Sequence, residues 1–308
     1  MRNTFAEEVY LQSIKNKNIY VLVADISPAG KINKFQKNNP KNFINVGVSE
    51  QTMIGVSAGL AMQGKRVFAY TISTFSLYRP FEMIRVDLCY QNLPVTIVGM
   101  GAGTIYSNLG GTHLTQEDIS VARSVPNLNI IAPCDPLELK EAVNFCVNKS
   151  KNPIYLRIGK TGEKNYTNNS INKWKFGKLR KIQPGKDLCF LSFGPIIKKA
   201  FDISKNLKEK GIKSEIYSCH TLKPFDYLGL RKVFKKFKRI IVIEDHSKIG
   251  GLASIVKQHA FESRFKGKII SFSLQDKFLN CFGSQQDLLN LHGINDKKIY
   301  KSIINFLK

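Results

Sequence analysis

Short apolar runs alternate along this chain with longer stretches whose apolar residues recur every three or four positions. A strand buried on both faces of a parallel sheet reads as an unbroken apolar run, and a covering helix shows a stripe of period 3.6. The alternation is therefore the rhythm of βαβ units. It predicts strands at Ile19–Ala24, Arg66–Tyr70, Val95–Gly99, Leu128–Ala132, Ile154–Arg157, Asp187–Phe193, Ser214–Ser218, Ile240–Glu244 and Lys268–Phe272, with helices between most of them. The fold class implied is α/β, as two doubly wound domains with mainly parallel sheets.

The stretch from Gly159 to Gly185 breaks the rhythm, being rich in Lys, Asn, Thr and Gly with little apolar periodicity. We expect a first domain at 1–165, a linker at 166–185 and a second domain at 186–308. A length of 308 residues agrees with about two domains of about 150 residues. A segment from Gln51 to Gly64 has Gly55 and Gly59 four apart among Ser57, Ala58 and Ala61, leaving one helix face nearly bare of side chains. Such a face suits close packing, either inside the chain or against another subunit.

Composition adds exclusions. No run reaches the roughly 18 apolar residues of a membrane-spanning helix, and the opening MRNTFAEEVY lacks the layout of a secretory signal, so a cytoplasmic protein with no membrane partner is expected. The cysteines are scattered, mostly inside apolar stretches, and show no metal-ligand spacing, which reads as buried thiols. The net charge of +24 comes from cations spread along the whole chain, and the densest group, Lys235, Lys236, Lys238 and Arg239, stands just before an apolar strand. That distribution argues against a nucleic-acid arm and for an anionic substrate or an acidic partner.

Several chemistries fail on their motifs. Ile158-Gly159-Lys160-Thr161 has the end of a phosphate-binding loop, but Ile154 stands where its first glycine belongs. The second block's first strand ends in Phe193-Gly194-Pro195, without a dinucleotide fingerprint. The one G-x-S-x-G string, Gly55-Val56-Ser57-Ala58-Gly59, lies inside the helical segment Gln51–Gly64 and not at a strand-to-helix elbow, and the histidines are not spaced as metal ligands, so no metal site is expected in this chain.

Three features of the first block recur together. Asn45-Val46-Gly47-Val48-Ser49-Glu50-Gln51 puts one carboxylate in an otherwise uncharged junction; Ser73-Thr74-Phe75-Ser76-Leu77-Tyr78-Arg79-Pro80-Phe81 spaces aromatics by three; and Gly110-Gly111-Thr112-His113 follows. The second block adds Thr221-Leu222-Lys223-Pro224-Phe225-Asp226 and Glu244-Asp245-His246 before Gly250-Gly251. In these residues, and in their order over nearly the whole chain, the sequence resembles the transketolase family: a pyrimidine-binding domain of thiamine-diphosphate enzymes, then a transketolase C-terminal domain.

The resemblance implies a chemistry and its residues. The cofactor must lose a weakly acidic thiazolium proton, and a carboxyl group bonded to a pyrimidine ring nitrogen favours the tautomer that can take it. That role falls to Glu50. Phe75, Tyr78 and Phe81 match the family's aromatic triplet around the pyrimidine, and Asp25 and Ile26 match its cofactor-touching segment, Ile26 as an apolar wedge. His113 matches a histidine facing substrate hydroxyls, and Arg157 an arginine gripping a sugar phosphate. Leu109 and Ala29 depart from the pattern where an acid and a serine are usual, and Ala102 and Tyr78 stand where deoxyxylulose-phosphate synthases carry arginines.

No Gly-Asp-Gly…Asn signature for the divalent metal and diphosphate is found. The resemblance thus implies the C-terminal section of a split transketolase. An N-terminal transketolase-like subunit would hold Mg2+ and the diphosphate, the pyrimidine domains would make the homodimer contact of an α2β2 assembly, and the sugar substrate would be phosphorylated or otherwise activated. A beta-type chain of a 2-oxo acid dehydrogenase or decarboxylase, a deoxyxylulose-phosphate-synthase-like half and a non-catalytic structural subunit remain as alternatives.

Overall fold

The computed structural model describes residues 1–26, 32–168 and 170–307; Ala29 lies outside them. Strands β1 (Ile19–Val23), β2 (Phe43–Asn45), β3 (Arg66–Ile72), β4 (Thr96–Met100), β5 (Asn129–Ile131) and β6 (Ile154–Ile158) form a parallel sheet in the order β5-β6-β4-β3-β1-β2. The second half contributes β7 (Arg180–Gln183), β8 (Leu188–Ser192), β9 (Ser214–Ser218), β10 (Thr221–Lys223), β11 (Arg239–Ser247) and β12 (Lys268–Leu274). Its sheet runs β12-β11-β8-β9-β7, parallel except for the β7–β9 pair. Strand β10 leaves that sheet and pairs antiparallel with β5, adding an edge strand to the first.

Successive strand residues point to opposite faces, so a strand covered on both sides must be apolar throughout. In β1, Val21 and Val23 enter the core beneath α1 (Arg2–Lys15) and α2 (Ile32–Asn38), while Leu22 enters the core beneath α3 (Glu50–Met62). Helices α4 (Ser73–Leu77), α5 (Phe81–Met83) and α6 (Asp118–Ser124) follow along the chain, and α7 (Pro136–Asn148) joins α1 and α2. In the second half, α8 (Ile197–Lys208), α11 (Gln285–Leu291) and α12 (Asp296–Leu307) cover one face. Helices α9 (Tyr227–Lys236) and α10 (Leu252–Glu262) belong to the same apolar cluster as α3, so one core runs between the two sheets. The two mainly parallel sheets agree with the expected fold class.

Part of the expected linker is not a free tether. Residues 180–183 are β7, and Trp174 and Phe176 lie against Phe145 of α7, the latter pair stacked at 4.2 Å. The cysteines are free thiols, all buried except the half-buried Cys281. Among the described residues no helix is long and apolar enough to cross a membrane.

Candidate active site

A cavity of about 320 Å3 opens at the carboxyl ends of β1 and β3, the edge of a parallel sheet where loops converge. The chain leaving β1 supplies Ala24, Asp25 and Ile26; β3 supplies Thr71 and Ile72 and passes directly into α4, which carries Phe75. Val48 and Glu50 come from the junction of β2 and α3. One side chain fixes two of these approaches. The Asn45 carboxamide oxygen accepts from the Asp25 N–H at 3.1 Å and from the Gly47 N–H at 3.0 Å. Asp25 and Gly47 both have left-handed backbones, φ 45° and 73°, which short polar residues and glycine tolerate.

Glu50 is the first residue of α3 and is only 4% exposed. Its carboxylate sits where the helix's unpaired N–H groups favour negative charge. Arg79 reaches it from the turn after α4, with Nη1 at 3.2 and 3.4 Å from the two carboxylate oxygens, and the guanidinium carbon lies 4.8 Å from the centre of the Phe75 ring. His113 closes the cavity with its ring edge-on to Phe75 at 5.2 Å, and the Thr112 hydroxyl is 2.9 Å from its Nδ1.

The structure therefore brings Asp25, Ile26, Glu50, Phe75 and His113 together. It does not do so for Tyr78 and Phe81. Helix α4 ends at Leu77, and Pro80 precedes α5, so the three-residue spacing of the aromatics is not one helical stripe. Phe81 is half-buried against the central core, and the Tyr78 phenol is pushed far up by burial and by the charges of Asp118 and Glu117.

Arg157 does not line that cavity either. Strand β6 continues to Ile158, and Arg157 inside it is 4% exposed. Its Nε donates to Asp118 Oδ2 at 2.8 Å, its Nη2 donates to the Asp245 carbonyl at 2.9 Å, and its plane lies over Phe193. Tyr155 donates to the same Asp118 oxygen at 2.8 Å and meets Ser73, the first residue of α4, at 2.6 Å. Arg157 is thus the centre of a buried network joining the two halves, with its Nε and Nη2 donors taken up inside the chain.

Three residues later, Lys160 is placed differently. Its Nζ lies 4.6 Å from the centre of the Tyr106 ring, and Tyr106 in turn meets His113 at 6.1 Å. Lys160, Lys164, Lys198 and Gln285 line a crevice of about 220 Å3 between the halves. Arg79 and Lys160 went unassigned in the sequence. The available signal for Arg79 is that it is the only cation between Arg66 and Arg85, in an aromatic stretch. Among the described residues, no three His, Cys, Asp or Glu side chains gather as a metal cluster.

Comparison with known proteins identifies the two halves of the chain. Residues 1–163 match the transketolase pyrimidine-binding domain and residues 177–299 the transketolase C-terminal domain. The chain is 30% identical over 307 residues to one of the subunits of the apulose-4-phosphate transketolase of Phocaeicola vulgatus, covering 100% of this chain and 97% of that one. It is 30% identical over 254 residues to the 6-deoxy-6-sulfo-D-fructose transketolase subunit SqwH of Clostridium sp. (strain MSTE9), covering 82% and 78%. A solved structure described as a split gene transketolase, inactive beta4 tetramer, superposes with a TM-score of 0.89 at 29% identity over 99% of this chain and 97% of that one. With both domains matched in order and a relative aligned from end to end, this chain belongs to the transketolase family.

Proposed function

We propose that this chain is the C-terminal half of a two-chain, thiamine-diphosphate-dependent transketolase that moves a two-carbon ketol unit between sugars carrying an anionic group. The observation that carries this reading is one buried carboxylate, Glu50, beside an aromatic face, Phe75, in a cavity at the sheet's carboxyl edge. These residues fit the cofactor's aminopyrimidine. A flat heteroaromatic ring needs an apolar wall, for which Phe75 and Ile26 are placed, and an in-plane group that can share a proton with a ring nitrogen, for which Glu50 is placed. Bound there, thiamine diphosphate supplies the electron sink that lets a carbon–carbon bond beside a carbonyl be cleaved and re-formed.

Each residue then has a task. Glu50 holds a proton at the pyrimidine ring nitrogen. His113, on the same cavity, holds or moves a proton at a substrate hydroxyl. The crevice of Lys160, Lys164 and Lys198, reached from His113 across Tyr106, takes the substrate's anionic end. Two relatives are named for a sugar 4-phosphate and a 6-sulfo sugar, which are anionic alike. That both are subunits supports an N-terminal partner, to which we assign Mg2+ and the diphosphate, in an α2β2 assembly with the pyrimidine domains in contact.

The test is Glu50→Gln in the reconstituted two-chain complex. Proton–deuterium exchange at the thiazolium carbon should slow by roughly 10²–10⁴ while cofactor and partner still bind. Exchange at the wild-type rate would refute the assignment.

A further inference from the structure

Arg79 stands on both groups that the proposed pyrimidine slot offers. Its Nη1 is 3.2 Å from Glu50 Oε2 and 3.4 Å from Oε1, and its guanidinium carbon is 4.8 Å from the centre of the Phe75 ring. A guanidinium is a planar group with donors in its plane and an affinity for aromatic faces. An aminopyrimidine is also planar, and it presents a ring nitrogen in its plane and a face to stack. Two such plates cannot share one carboxylate edge and one ring face.

The two partners differ in freedom. The Glu50 side chain is 5% exposed and fixed at a helix start, whereas that of Arg79 is 52% exposed and stems from the turn between α4 and α5. Arg79 alone can therefore leave, swinging its long side chain into solvent.

We infer that Arg79 is a gatekeeping residue of the pyrimidine slot, competing with the cofactor's aminopyrimidine for Glu50 and Phe75. The inference rests on the pyrimidine-slot reading above and adds a selective step to it. A ligand enters only if its contacts exceed those of the guanidinium it displaces. Because the ion pair is half-exposed, dissolved salt weakens it and the competition eases as ionic strength rises.

The experiment uses the full chain and 4-amino-5-hydroxymethyl-2-methylpyrimidine as probe, with binding followed by ligand-observed NMR. Arg79→Met keeps the apolar stem and removes the charge. Its dissociation constant should fall by about two- to fivefold, the strength of an exposed ion pair. Raising KCl to about 0.5 M should tighten binding to the wild-type chain and leave Arg79→Met unchanged. Equal or weaker binding by Arg79→Met, with Glu50→Gln still impairing the probe, overturns the competition and leaves the pyrimidine slot standing. If no chain binds the probe saturably, both fall together.

Discussion

Arg157 and Lys160 are three residues apart and have opposite surroundings, because the first lies within β6 and the second beyond its end. Arg157 lies within β6 and points into the seam between the halves, where Asp118 and the Asp245 carbonyl take up its donors. A buried ion pair of this kind is a weak source of net stability, yet removing one partner leaves a charge with no water and no counterion. Arg157→Met should therefore cost about 3–5 kcal/mol in urea unfolding. Lys160→Met should leave unfolding unchanged and raise KM for a phosphorylated sugar roughly tenfold in the two-chain complex, with little change for an unphosphorylated analogue. A KM effect at Arg157 without loss of stability would reverse these roles. In the sequence, Arg157 stood out only through the resemblance, which matches it to an arginine gripping a sugar phosphate. Strand β6 is buried along its whole length, and the groups that meet Arg157 there come from Asp118 and Asp245, distant in sequence, so the apolar run carries no signal for them.

At the scale of elements, the apolar runs were legible and the short edge strands without one were not. The nine expected strands all occur, most of them as apolar runs buried on both faces. Strands β2, β7 and β10 went unseen. They are three or four residues long and stand at sheet edges, where pairing needs no apolar code. The cavity residues after β1, β3 and β2 were legible through their motifs, but that Phe75 lines the cavity while Tyr78 and Phe81 do not depends on local backbone geometry. Strand β10 carries a consequence of its own. His220, the residue before it, is fully buried; its carbonyl accepts from the Ala132 N–H, and its ring stacks on Trp174 at 5.0 Å. Burial, with the nearby Arg180 charge adding to it, pushes the imidazole down to about 3. Above about pH 6.5 the ring is neutral folded or unfolded; between there and about pH 3 only the unfolded chain takes the proton, so stability falls as pH falls. Against His220→Phe, which cannot titrate, the wild-type chain should lose about 1.4 kcal/mol per pH unit below 6.5, measured by urea unfolding from pH 7 to 4.5. Parallel curves for the two proteins would show that the ring is hydrated in the native state.

For the whole molecule, the outer face of α3 decides whether the proposed contact between pyrimidine domains is real. The helix buries Met53, Ile54, Ser57, Ala58 and Ala61 in its own chain and turns Gly55, Val56, Gly59 and Met62 outward. Space around the glycines is open: a Cβ added at Gly55 or Gly59 meets nothing within 4 Å. Glycine within a helix is unfavourable by roughly 0.5–1 kcal/mol relative to alanine, so nothing in the isolated chain rewards it at these positions. A second backbone approaching closely would, and the neighbouring apolar residues would then leave water. The chain's net charge of +24 opposes that approach and makes it easier as salt screens the repulsion. Two effects with opposite sign follow for one substitution. Gly55→Arg should raise the unfolding free energy of the separated chain by a few tenths to about 1 kcal/mol, because it replaces a poor helix former with a good one. The same change should weaken self-association at least tenfold in sedimentation velocity at moderate salt, because a long charged side chain blocks the contact. A helix that becomes more stable while the assembly weakens identifies α3 as the interface; association unchanged by Gly55→Arg would remove this face from it.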